Sequence, residues 1–115
     1  MADCIFCRIA SGDIPAQIVG QTSDALAFRD LNPQAPVHVL VIPVQHHAAA
    51  RDATGPEGER LLGRLLAFAA ETATALGLDA GGYRIVTNTG RDGGQSVDHL
   101  HLHILGGRAL GWPPG

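Results

Sequence analysis

The chain has no lysine: its eight basic residues are all arginine, and eleven acidic residues leave a formal net charge of −3. That balance argues against extended, non-specific nucleic-acid binding, which needs many cationic side chains to displace counterions from phosphates. The bias toward arginine reads as a genomic preference. No apolar run approaches the ~20 residues of a membrane span. The segment Met1-Ala2-Asp3-Cys4 lacks the basic start of an export leader, so the cytoplasm is the expected compartment and no membrane partner is expected. Aromatic residues are scarce at 4%, yet 45% hydrophobic and 17% charged residues describe a compact globular protein rather than a disordered or fibrous one. Two cysteines, Cys4 and Cys7, are too few for a secreted disulfide scaffold, and their spacing also suits a metal or a redox pair. With 115 residues, no internal repeat and no linker, residues 1–115 are expected to form a single domain.

Hydrophobic periodicity suggests the elements. Ile5 to Ile9 suits a turn or two of helix, ended by Ser11-Gly12 and Pro15. Ala25 to Arg29 reads as a strand, and Asp30 to Pro36 as a loop, because residues before proline avoid the helical region. Val37 to Ile42 is rich in β-branched residues and stops at Pro43. Extended, it puts His38, Leu40 and Ile42 on one face and Val37, Val39 and Val41 on the other. The only long helix is expected from about Pro56 to Leu76, capped by Gly77, with an apolar stripe of Leu61, Leu62, Leu65, Leu66, Ala69, Ala73 and Leu76 that must cover a sheet. Tyr83 to Asn88 and Ser96 to Leu105 read as an antiparallel pair around the glycine-rich turn Thr89 to Gly94. The fold class is therefore α+β: an antiparallel β-meander sheet with one long covering helix and a short N-terminal helix, since the crossover helices of a parallel sheet are missing.

Histidine is the residue in excess, with six in the chain, three of them at every second position of His99-Leu100-His101-Leu102-His103-Ile104-Leu105. In an extended strand the three imidazoles share one face and Leu100, Leu102 and Ile104 supply the other. One metal cannot take all three. Cα atoms four residues apart are about 13 Å apart in a strand, whereas zinc binds nitrogen at about 2 Å. A division of labour fits better, one end imidazole serving a metal and the middle one left free for chemistry.

The alternating histidines resemble the His-x-His-x-His-x-x signature, x apolar, of the histidine triad (HIT) superfamily of nucleotide hydrolases and transferases. The resemblance runs through Ala27-Phe28-Arg29-Asp30, Pro33-Gln34-Ala35-Pro36-Val37-His38, Val41-Ile42-Pro43 with His46, Gly93-Gly94-Gln95-Ser96-Val97 and the tail Leu105-Gly106-Gly107-Arg108 through Trp112-Pro113-Pro114-Gly115. These segments, in order over essentially the full chain, are similar to the histidine triad nucleotide-binding (Hint) branch. The resemblance implies a HIT-like fold and hydrolysis of a purine nucleoside 5′-phosphoramidate, or an acyl or amino adenylate, to the nucleoside monophosphate. By that implication His101 attacks the α-phosphorus and forms a nucleotidyl-histidine that water opens. The ordinary imidazole pKa of about 6.5 makes such a nucleophile available at pH 7. One ring nitrogen must then be held by a backbone carbonyl so that the other presents its lone pair.

The resemblance further implies that His103, His38 and Ser96 assist at the phosphate, with Gln95 and Asn88 near it. Asp30 would accept hydrogen bonds from the ribose, and Phe6, Ile9, Ile14, Phe28 and Leu31, together with Val97, would meet the nucleotide. Trp112 would reach the partner's site in a homodimer. Related bacterial proteins pair a Cys-x-x-Cys with the histidine after the strand-ending proline and the first triad histidine on a structural zinc, which here implies Cys4, Cys7, His46 and His99; spacing leaves His47 open in place of His46. Asp98 departs from the branch, which has an apolar or aromatic residue there, and bears on leaving-group preference. The alternatives are hydrolysis of dinucleoside polyphosphates, as in another branch with the same triad, and a zinc-stabilised nucleotide-binding module.

Overall fold

Five strands form one antiparallel sheet in the computed structural model, which describes residues 3–115. Met1 and Ala2, half of the segment read for leader character, lie outside the described residues. Helix α1 (Ile5–Ser11) starts where the Cys4 sulfur accepts the Cys7 backbone N–H at 3.3 Å, and it stops at Gly12, whose φ of 87° closes the last turn. Strands β1 (Ile18–Gln21), β2 (Ala25–Arg29) and β3 (Val37–Pro43) follow as a meander. Helix α2 (Gly55–Ala75) then carries the chain to β4 (Tyr83–Val86) at the far edge, and β5 (Leu102–Gly106) returns between β4 and β3. The sheet order is β1-β2-β3-β5-β4. Among the described residues no helix is long and apolar enough to cross a membrane.

The alternation of β3 and β5 sorts side chains onto two faces. Val39, Val41, Leu100, Leu102 and Ile104 pack with Leu61, Leu65, Ala69 and Ala73 of α2. Each fully buried aliphatic side chain there contributes about 1.5–3 kcal/mol. The opposite face carries Leu26, Phe28, Leu40 and Ile42, covered by Phe6 of α1. Leu66 departs from the expected stripe at 53% exposure; it sits at the stripe's edge, while Leu62 and Leu76 are half-buried against the core. α2 ends as expected near Gly77, whose φ is 78°.

Two expectations are corrected. The sequence reading missed β1, and the ladder begins at Leu102 rather than near Ser96. The second difference has a physical cause. Val41 pairs with Leu102, so the next β3 residue in register toward Leu100 is Pro43, which has no N–H to donate. Leu100 instead donates its N–H to the His47 carbonyl at 2.6 Å. His99 and His101 therefore stand on an irregular approach to the strand.

Candidate active site and metal-ligand cluster

Register places the pocket histidines. Phe28 lies opposite Leu40 and Leu40 opposite His103, so these three form a row across β2, β3 and β5 on the face that α2 leaves free. His38, two residues before Leu40, shares that face. Its Nδ1 accepts the Gln34 backbone N–H at 3.0 Å. The hydrogen is thus on Nε2, which donates to His103 Nδ1 at 2.8 Å, and His103 carries its own hydrogen on Nε2. Burial pulls the His38 pKa down against the opposing pull of the Asp30 carboxylate. Burial, and then the neighbouring His101 and His38, push His103 down to about 4. Both rings are neutral at pH 7, as a single shared hydrogen requires. The Asp30 Oδ2 to His38 Nε2 approach of 3.4 Å is therefore a contact with a neutral ring rather than an ion pair. Asp30 Oδ1 accepts the Asn32 N–H at 2.8 Å.

His101 is 3% exposed and its Nδ1–H donates to the His99 carbonyl at 2.7 Å. That bond leaves the Nε2 lone pair unclaimed at the wall of a cavity of about 410 Å³. The Thr87 hydroxyl steadies the His101 carbonyl at 2.8 Å. Phe6 sets its ring edge-on to His101 at 5.1 Å and to Phe28 at 5.7 Å. The cavity brings together Phe6, Ile9, Ile14, Phe28, Leu31, Asp30, His38, Ser96, Val97, His101 and His103. Its lining combines apolar side chains, which suit a base, with imidazoles and a hydroxyl, which suit a phosphate.

A second cluster lies at the other end of the histidine row. His99 is fully buried, and its Nε2–H donates to the Pro43 carbonyl at 2.9 Å. The bare Nδ1 faces Cys4 Sγ at 3.2 Å, Cys7 Sγ at 3.5 Å and His46 Nδ1 at 3.2 Å, and His46 Nδ1 is 3.3 Å from Cys7 Sγ. Burial holds His99 toward its neutral, ligating form and, with Cys4 beside it, pushes the Cys7 thiol up, so a cation must displace a proton there. Tetrahedral zinc with bonds of 2.0–2.3 Å needs ligand atoms about 3.3–3.8 Å apart. Four of the separations among the two sulfurs and two imidazole nitrogens are 3.2–3.5 Å, near that span, and all four atoms lie within 4.8 Å of one another, so they could hold a metal ion. His46 joins the cluster; His47 lies in a separate cleft beside α2.

The family model described as "HIT domain" matches residues 11–110. The chain belongs to the histidine triad family. It is 54% identical over 113 residues, 98% of this chain and 97% of the other, to an uncharacterized HIT-like protein of Synechococcus elongatus. The crystal structure of a HIT family hydrolase from Legionella pneumophila superposes with a TM-score of 0.93 at 49% identity, covering 98% of this chain and 100% of that one. A histidine triad nucleotide-binding protein from Candida albicans gives a TM-score of 0.81 at 32% identity over 96% of this chain and 83% of its own.

Within this histidine triad chain, three residues expected at the site lie off the cavity lining. Asn88 Nδ2 donates to the Gly93 carbonyl at 2.6 Å. Gln95 Oε1 accepts the Gly90 N–H at 2.9 Å while its Nε2 donates to the Ala48 carbonyl at 2.6 Å and the Val97 carbonyl at 3.0 Å. Both side chains thus brace the glycine-rich turn that presents Ser96. Trp112 is 84% exposed. Asp98 is also exposed, beside Asp3 and Ser96 on a shallow cleft next to the cysteines. Sequence reasoning missed the Gln34 amide and the Pro43 carbonyl, which fix imidazole orientation, and Thr87, which holds the His101 backbone carbonyl; only Pro43 left a signal, as the end of a strand. It also missed Pro15, Ala16 and Leu40 in the apolar wall.

Proposed function

We propose that this chain is a nucleotide hydrolase of the Hint branch, cleaving purine nucleoside 5′-phosphoramidates or acyl and amino adenylates. The observation that carries the reading is the tautomer of His101, held through Nδ1–H on the His99 carbonyl with Nε2 bare at the cavity. The His101 Nε2 lone pair forms a bond to the α-phosphorus as the phosphorus–nitrogen bond to the amine breaks. The positive charge on the resulting imidazolium is stabilised by the His99 carbonyl. The amine leaves with the Ser96 hydroxyl proton, which solvent replaces and which the attacking water gives back in the second step, while the neutral His103 keeps its Nε2–H and donates it to the phosphate oxygens. Water then attacks phosphorus, the bond to His101 breaks, and the nucleoside monophosphate leaves. Asp30 accepts from the ribose hydroxyls and the apolar wall takes the base. The hydrolase and nucleotide-binding names of the two structural relatives support the reading.

Cys4, Cys7, His46 and His99 would hold zinc, which supplies a closed four-ligand cross-link between α1 and the approach to β5 and no open position for substrate. The exposed Trp112 suits a tail that covers the site of a second copy in a homodimer. The test is turnover: adenosine 5′-phosphoramidate should be hydrolysed to AMP faster than a diadenosine polyphosphate. The reverse order would assign the chain to dinucleoside polyphosphate hydrolysis, and stoichiometric nucleotide retention without release would make it a binding module.

A further inference from the structure

We propose that the Cys4, Cys7, His46 and His99 cluster positions the nucleophile: by clamping His99 it holds the carbonyl that selects the reactive tautomer of His101. This rests on the hydrolase reading for its kinetic consequence, but not for its structural one. His99 is bound at three points. Its ring is held by Nε2–H on the Pro43 carbonyl and by Nδ1 among the cluster atoms, and its carbonyl oxygen takes the His101 Nδ1–H at 2.7 Å. In a laddered strand the backbone of His99 would be fixed by its neighbours regardless of its ring. Here the ladder begins only at Leu102: the Leu100 N–H is tied to the His47 carbonyl and the His101 carbonyl to the Thr87 hydroxyl, and the anchored ring adds the hold on His99 itself.

Helix α1 adds a second link. It carries Phe6 between the two cysteines, and that ring lies edge-on to His99 at 5.8 Å and to His101 at 5.1 Å. The cluster therefore fixes both the carbonyl that accepts the His101 Nδ1–H and the apolar edge against which its ring rests. Cys4, Cys7 and His46 touch no reacting atom; they are positioning residues.

Position 4 allows a clean test, because Cys4 is also the N-cap of α1. Serine and aspartate both cap helices well, but only aspartate is also a good zinc ligand. Long-range ¹⁵N–¹H spectra of the His101 ring should show the Nδ1–H tautomer alone in the zinc-loaded protein. Cys4→Ser should lose zinc, populate the Nε2–H tautomer and lower kcat for adenosine 5′-phosphoramidate about ten- to a hundredfold, with a smaller change in KM. Cys4→Asp should retain zinc, the single tautomer and most of kcat. A zinc-free Cys4→Ser protein whose His101 keeps the Nδ1–H tautomer at wild-type kcat would overturn the proposal. Should Cys4→Ser fail to fold or keep its zinc, the same spectra during chelation of the wild-type protein decide: an unchanged His101 tautomer after zinc release overturns it, a mixture supports it. A wild-type protein that shows the tautomer change but releases no AMP would sink the hydrolase reading and leave the positioning role standing.

Discussion

At the start of the histidine row His99 turns a bare Nδ1 toward two cysteine sulfurs and His46, whereas at its end His38 and His103 share one hydrogen across 2.8 Å. The side chain is the same and the sheet face is the same. The difference is made by backbone groups. A carbonyl of Pro43 takes the Nε2–H of His99 and exposes Nδ1 as a ligand; a carbonyl of His99 takes the Nδ1–H of His101 and exposes Nε2 as a nucleophile; an amide of Gln34 fills Nδ1 of His38 and turns Nε2 into a donor. Imidazole chemistry is thus assigned by which ring nitrogen the main chain occupies.

The comparison breaks most completely at His101. Replacing it with Gly should leave the fold and the metal cluster intact while lowering turnover at least about ten-thousandfold, as measured by AMP release from adenosine 5′-phosphoramidate. At the metal end, stripping zinc should cost about 2–4 kcal/mol of apparent stability and lower the melting temperature by on the order of 10 °C, read by thermal unfolding with and without chelator. At the relay end the expected pattern is inverted: His38→Asn should lower kcat about a hundredfold with zinc content unchanged by elemental analysis. An equal loss of zinc would show that the two ends are not separable.

The smallest effect is in pH dependence. His103 sits at about 4 in the folded chain, against about 6.5 when unfolded. Between those values the unfolded chain binds more protons, so stability must fall as pH drops through that window. His103→Gln should shallow the fall in melting temperature between pH 6.5 and 4. A slope unchanged in the variant would assign the acid sensitivity to other groups, the metal ligands first.

Much of this contrast was legible in the sequence because the period-2 alternation of β3 and of residues 99–105 sorts imidazoles from aliphatics before any tertiary contact is known. The reach of a zinc ion also excluded one metal for all three histidines, which favoured a division of labour between an end imidazole and the middle one. What escaped was decided by single backbone groups. Pro43 ends the ladder and releases 99–101 from it, Asn88 and Gln95 hydrogen-bond around the glycine-rich turn, and β1 is four residues long with a register shift between Ile18 and Gly20. Tautomers are likewise invisible in residue order, since the Gln34 amide and the Pro43 and His99 carbonyls act from loops and strand ends.

The most direct measurement is the site of covalent attachment. Protein mixed with adenosine 5′-phosphoramidate, quenched in base during turnover and digested, should yield one adenylylated peptide, with the nucleotide on the imidazole of His101. Attachment at His103 or His38, or rapid AMP release with no adduct trapped at any time point, would contradict the assignment of the free Nε2 as the attacking atom.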